Sequence, residues 1–116
     1  MIRTINKGWG QEYIFADEKD YCGKFLNFDE GKKFSMHFHA VKDETWYVLE
    51  GKFKVRWIDT KTAVQSETIL ERGQKWRNPP LMPHQLICIE RGSIMEASTH
   101  DDPNDNYRVQ PGDSQS

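Results

Sequence analysis

Residues 31–51 read GKKFSMHFHAVKDETWYVLEG, and the fold turns on them. Residues 33–39 alternate with a period of two: Phe34, Met36 and Phe38 on one face, His37 and His39 on the other. Side chains at i and i+2 of a strand project from the same face, so both imidazoles can enter one cavity. Residues 44–50 (ETWYVLE) form the next strand, and Gly51 marks a tight turn. A short turn between antiparallel neighbours sets Glu44 beside the histidine pair. Far along the chain, His84 opens another strand just after a proline-stiffened turn. Three imidazoles and a carboxylate drawn from three strands suit a divalent transition metal with positions left open.

Working outward, residues 52–58 show the clearest alternation. Lys52, Lys54 and Arg56 oppose Phe53, Val55 and Trp57, as in a half-buried strand with a solvated basic face. Residues 11–16, 21–28, 65–70, 84–90 and 94–99 read as further strands, with Arg91-Gly92 as a hairpin turn. Residues 76–83 read as irregular, because Pro79, Pro80 and Pro83 cannot donate to a ladder. The composition turns polar after His100, so residues 110–116 are expected to be a disordered tail behind one domain, residues 1–109. Many short strands in one small domain predict an all-β sandwich or small barrel.

Composition narrows the function. The 116 residues carry 16 Lys and Arg against 18 Asp and Glu, a net charge of −2. With an isoelectric point near 6.1, this excludes a general electrostatic affinity for nucleic acid or an anionic membrane. No apolar run approaches the roughly 20 residues that span a bilayer. Residues 1–10 lack the apolar stretch of a secretory signal. Cys22 and Cys88 make no disulfide framework. A reduced, cytoplasmic setting is the expectation.

The spacing Gly31-x5-His37-x-His39-x4-Glu44-x6-Gly51 resembles the first motif of the cupin superfamily. Gly73-x5-Pro79, followed by His84, is similar to the second, with Leu81 where the family usually has Gly and Cys88 where it usually has Asn. The resemblance implies a double-stranded β-helix, the cupin jelly-roll barrel. It also implies a homodimer, and one divalent transition metal (Zn, Mn, Fe(II), Ni or Co) held by His37, His39, Glu44 and His84. A narrower resemblance is to the cupin-type (type II) mannose-6-phosphate isomerase domain. Gly8-Trp9-Gly10-Gln11-Glu12-Tyr13 looks like its P-W-G-x-Y entry, Glu44-Thr45-Trp46 its E-H-W segment, and Tyr21 to Leu26 its Y-x-x-K-x-x strand. The stretch from Glu96 looks like its acidic ending with a final Arg, near Arg108. That group often has Gln at the first ligand position, where this chain has His37.

The resemblance implies a small-molecule substrate, a sugar or sugar phosphate, and an aldose–ketose isomerase. Such an enzyme shuttles a proton between C1 and C2 while a metal polarises the substrate oxygens. Glu44 is a candidate base if loosely bound. Lys24 is another, either facing inward with a lowered pKa or lying on an exposed strand face. His100 is a rim proton shuttle or a solvated loop histidine. Trp46 shares the parity of Glu44, so it lines the cavity against a sugar face or packs in the core. Arg77 and Arg108 are candidate phosphate ligands or surface arginines. Cys88 shares the face of His84, either as a thiol in the cavity or as a small buried hydrophobe. An Fe(II) dioxygenase and a non-catalytic sugar-binding or sensing protein are the alternatives.

Overall fold

The computed structural model describes residues 2–116, which contain nine strands. They are β1 (Arg3–Lys7), β2 (Gly10–Asp17), β3 (Cys22–Phe28), β4 (Met36–Phe38), β5 (Glu44–Ile58), β6 (Gln65–Glu71), β7 (Lys75–Asn78), β8 (His84–Ser98) and β9 (Tyr107–Gln110). A 3-10 turn, Asp113–Gln115, follows.

β5 and β8, 15 residues each, pair antiparallel from end to end and form the spine. Residues 44–48 of β5 and 94–98 of β8 lie in one layer, in the order β1-β2-β3-β8-β5-β7. Residues 52–58 and 84–90 lie in the other, in the order β6-β5-β8-β4-β9. The ribbon thus bends from one layer into the next, which curls a single sheet into a jelly-roll barrel. Gly51 and Arg91-Gly92, expected as turns, sit at this bend inside the continuous strands. Gly51 has φ +87°, and a Cβ on it would lie 2.7 Å from the Arg91 and Glu90 carbonyl oxygens. A Cβ on Gly92 would collide with the Glu50 carbonyl oxygen. Here glycine serves close backbone approach rather than chain reversal.

Inward positions are apolar at one end of the barrel and ionisable at the other. Leu26, Ile94, Val48 and Leu86 face a core with Trp9, Phe28, Trp46, Phe53, Val55, Leu70 and Cys88. Trp9 stacks on Phe28 at 4.4 Å, and Phe28 meets Phe53 edge-on at 5.4 Å. Two residues along the same strands, the inward side chains become Lys24, Glu96 and His84, with Glu44 four along from Val48; all four are buried. The apolar end supplies hydrophobic stabilisation, and the polar end is left to bind.

Three segments depart from the sequence reading. β1, β7 and β9 carry too little alternation to be seen; β1 and β9 are sheet edges, exposed almost throughout, and take their form from backbone pairing. The strand expected over 33–39 is regular only over β4, because Lys33 makes an isolated bridge to Ile87. Phe34 therefore leaves the face of Met36 and Phe38; its ring lies 5.0 Å from that of His37. The tail expected to be disordered is seated on the barrel. Gln110 pairs with Met36, Gly112 is buried against the Phe34–Ser35 backbone, and the Asp113 N–H donates to the Lys33 carbonyl at 2.9 Å. The Lys33 N–H donates to Asp113 Oδ2 at 2.7 Å, and the Gly8 N–H to Ser114 Oγ at 3.1 Å. Polar composition excludes a new core but does not prevent main-chain pairing to an edge.

Candidate metal centre

β4 delivers His37, the residues just after it deliver His39, β5 opens with Glu44 and β8 opens with His84. One ligand atom from each of the three imidazoles lies within 4.8 Å of the others. Glu44 Oε1 is 3.0 Å from His84 Nε2 and 3.5 Å from His39 Nε2. Each ring is oriented through its other nitrogen. Nδ1 donates to the Ser35 carbonyl in His37 (2.8 Å), to the Asp105 carbonyl in His39 (2.6 Å) and to the Met82 carbonyl in His84 (3.0 Å). With those protons on Nδ1, the three Nε2 lone pairs face one point, an arrangement typical of metal-binding histidines.

The donor set fits a cation. Glu44 Oε1 and His84 Nε2 are buried with no hydrogen-bond partner. Such atoms are costly unless something electropositive meets both. Burial, helped by the two neighbouring imidazoles, pushes His37 down to about 3, so it stays a neutral donor. Burial also opposes charge on His39, but Glu44 and the Asp105 carbonyl outweigh it and raise its pKa. Burial would raise Glu44, yet the polar groups of Glu96, His39 and His84 packed around it hold it well below the usual carboxylate range. Glu44 is thus ionised, which suits a candidate ligand better than a base.

Beside the four candidate ligands lies a buried ionic network. Lys24 Nζ contacts Glu12 Oε1 at 2.9 Å, Asp101 Oδ2 at 3.3 Å and Glu96 Oε2 at 3.8 Å. Lys42 Nζ contacts Asp101 Oδ1 at 3.1 Å and Glu96 Oε2 at 3.2 Å. Burial disfavours both ammoniums, but Glu96 and the other carboxylates prevail and raise their pKa. Lys24 does face inward, but its raised pKa overturns the lowered one expected of a base. Burial and the charge of Glu44 push Glu96 up to about 7.

One cavity of about 310 Å³ holds His37, His39, Glu44 and this network, along with Arg108, Arg3 and Lys7. The buried His84 is not among its lining residues, and three other sequence candidates lie away from it. Trp46 is in the core, its ring 5.5 Å from that of His84 and its Nε1–H donating to Glu96 Oε1 at 3.0 Å; it braces the site from behind. Arg77 points outward and binds Asp43 through two bonds, of 3.0 and 2.8 Å. His100 is exposed and bonded through Nδ1 to the Glu18 carbonyl, which removes it from proton transfer in the cavity. Cys88 is in the apolar core and its thiol donates to the Glu90 carbonyl.

Sequence reasoning missed Glu12, Lys42, Glu96, Asp101 and Asp105. Glu12 and Glu96 share the inward parity of Ile14 and Ile94, a signal that could have found them. The other three lie on loops, where no periodicity applies. Asp105 has a further part: its carboxylate accepts the N–H groups of Ala40 (2.7 Å), Val41 (3.1 Å) and Lys42 (3.0 Å). It therefore ties the C-terminal loop to the ligand-bearing loop, while its carbonyl orients His39.

Known proteins agree with this architecture. The fold is similar to that of oxalate decarboxylase from Bacillus subtilis, with a TM-score of 0.81 at 16% identity over 93% of this chain and 30% of that one. It is also similar to CapF, the capsular polysaccharide assembling protein of Staphylococcus aureus: TM-score 0.80, 17% identity, 95% of this chain and 33% of that one. The chain spans about a third of those proteins, and at such identities the likeness is one of fold. No curated protein resembles the chain closely enough to count as a relative. Residues 24–100 match the family described as Cupin domain, and the chain, with its curled sheet and inward histidines, belongs to the cupin family.

Proposed function

We propose that this cupin is a metal-dependent enzyme acting on a sugar or sugar phosphate as an aldose–ketose isomerase. One observation carries the reading: His37, His39 and an ionised Glu44 line a cavity with a buried set of proton-bearing groups, and the buried His84 closes on Glu44 at 3.0 Å. His37, His39, His84 and Glu44 would hold a divalent transition metal, which when bound supplies Lewis acidity toward carbonyl and hydroxyl oxygens. Lys24, kept charged, donates a hydrogen bond to an oxygen that gains negative charge. Proton transfer between carbons falls to a cavity carboxylate, Glu12 or Glu96, each held against Lys24. Phe34 and Leu26 offer an apolar wall to the C–H face of a sugar. Arg108 lines the same cavity and would meet an anionic end of the substrate. Phe15, Phe25 and Tyr47, on the outer face of the first layer, are consistent with the homodimer that the resemblance implies.

The test is exchange in deuterated water. The metal-loaded protein should place deuterium at C2 of an aldose phosphate or C1 of a ketose phosphate, read by proton NMR. His84→Ala should lose both stoichiometric metal and exchange while keeping its β circular dichroism. Full metal occupancy with no exchange across a panel of sugars and sugar phosphates overturns the isomerase reading. Dioxygen consumption by the iron form would replace it with oxidation.

A further inference from the structure

The two ammoniums beside the candidate metal centre are bridged by a single carboxylate from a loop. Asp101 Oδ1 takes Lys42 and Oδ2 takes Lys24, at 3.1 and 3.3 Å. One oxygen to each cation is how a carboxylate or phosphate would bind there. Of the three carboxylates on these lysines, Asp101 is the loosest. Its side chain is 23% exposed, against 13% for Glu12 and 5% for Glu96. Glu12 and Glu96 sit within β2 and β8, whereas Asp101 sits on the connection from β8 to β9.

We propose that Lys24 and Lys42 form an oxyanion site that Asp101 fills from within the chain, and that an anionic group of the substrate displaces Asp101 from it. The proposal deepens the sugar-processing reading and rests on it for the identity of the substrate. It narrows the substrate to a molecule with a carboxylate or phosphate near the carbon that reacts, since the same cavity holds His37, His39 and Glu44. Exchanging one anion for another keeps both buried ammoniums paired. A neutral ligand in that place would strip both buried ammoniums of a partner, which is unfavourable in a low-dielectric site. Once displaced, the Asp101 side chain has solvent beside it, so the swap strands no buried charge.

The experiment is a chemical-shift titration of the full chain, saturated with zinc or, should it bind none, as purified. The probes are inorganic phosphate, acetate and the neutral polyol erythritol. Asp101→Asn, which keeps the shape and removes the charge, should tighten phosphate, acetate or both by about tenfold, the worth of a partly exposed charge-assisted bond. Erythritol should not respond. Lys42→Met in the Asp101→Asn background should remove the gain. Asp101→Ser serves as a second variant, covering the case of an asparagine that keeps the seat. A gain for phosphate alone marks a phosphate ester as the source, and a gain for acetate alone marks a sugar acid. No gain with either substitution, an equal gain for erythritol, or a gain that survives Lys42→Met overturns the proposal. None of these readouts depends on turnover, so loss of the isomerase reading would leave this test standing.

Discussion

Asp105→Ala tests whether the C-terminal loop holds the metal centre together. The substitution removes an acceptor for three backbone N–H groups at 2.7–3.1 Å and leaves the Asp105 carbonyl on His39 in place. A hydrogen bond to a charged acceptor is worth about 1.5–3 kcal/mol when buried. Asp105 is half-exposed and water can replace part of this, so the three bonds together are worth about 2 kcal/mol. Unfolding entropy near 2.1 cal/mol/K per residue, over 116 residues, converts that to a fall in Tm of about 8 °C. The assay is scanning calorimetry of wild type and variant, paired with a chelator competition for the metal. Because His39 loses the anchorage of its orienting carbonyl, metal affinity should also fall by about tenfold. A Tm within about 2 °C of wild type, with unchanged affinity, would refute the coupling.

Three other outcomes are expected. Leu81, where the cupin motif has Gly, is exposed with φ +73°, so Leu81→Gly should relieve strain without loss of packing and raise stability by about 0.5–1 kcal/mol, read as denaturant midpoint, while Leu81→Ala should not. Deleting residues 111–116 should lower Tm by about 4 °C, because the Asp113–Lys33 and Ser114–Gly8 bonds go with it; an unchanged melt would show the tail is not seated in solution. Burial pushes the Cys88 thiol up to about 11 from 9.0, which cuts its thiolate fraction about 100-fold at pH 8; a disulfide reagent should label it only on unfolding, and rapid labelling of the native protein would contradict its place in the core.

The convergence of the four candidate ligands was legible because its signal is local: His37 and His39 two apart on an alternating strand, Glu44 at the next strand's start, His84 after a run of prolines. The apolar strands were legible for the same reason, since burying one face forces a period of two. What failed to read through was whatever depends on a partner elsewhere in the chain. Gly51 and Gly92 look like turns until each is seen against the other's backbone. Edge strands β1 and β9 exist because their backbones pair, which leaves no mark on side-chain order.

The sequence by itself determined an all-β cupin barrel with four converging candidate ligands, because alternation and motif spacing are properties of neighbouring residues. Only the tertiary structure decided which charges meet. Lys24, Lys42, Glu12, Glu96 and Asp101 come from stretches up to 89 positions apart in the numbering. Whether a lysine becomes a base or a fixed cation depends on the carboxylates around it, and those are assembled by folding alone. The same holds for Trp46, Arg77 and His100: their residue types suit a sugar site, but burial, an Asp43 partner and a Glu18 carbonyl place them outside the cavity.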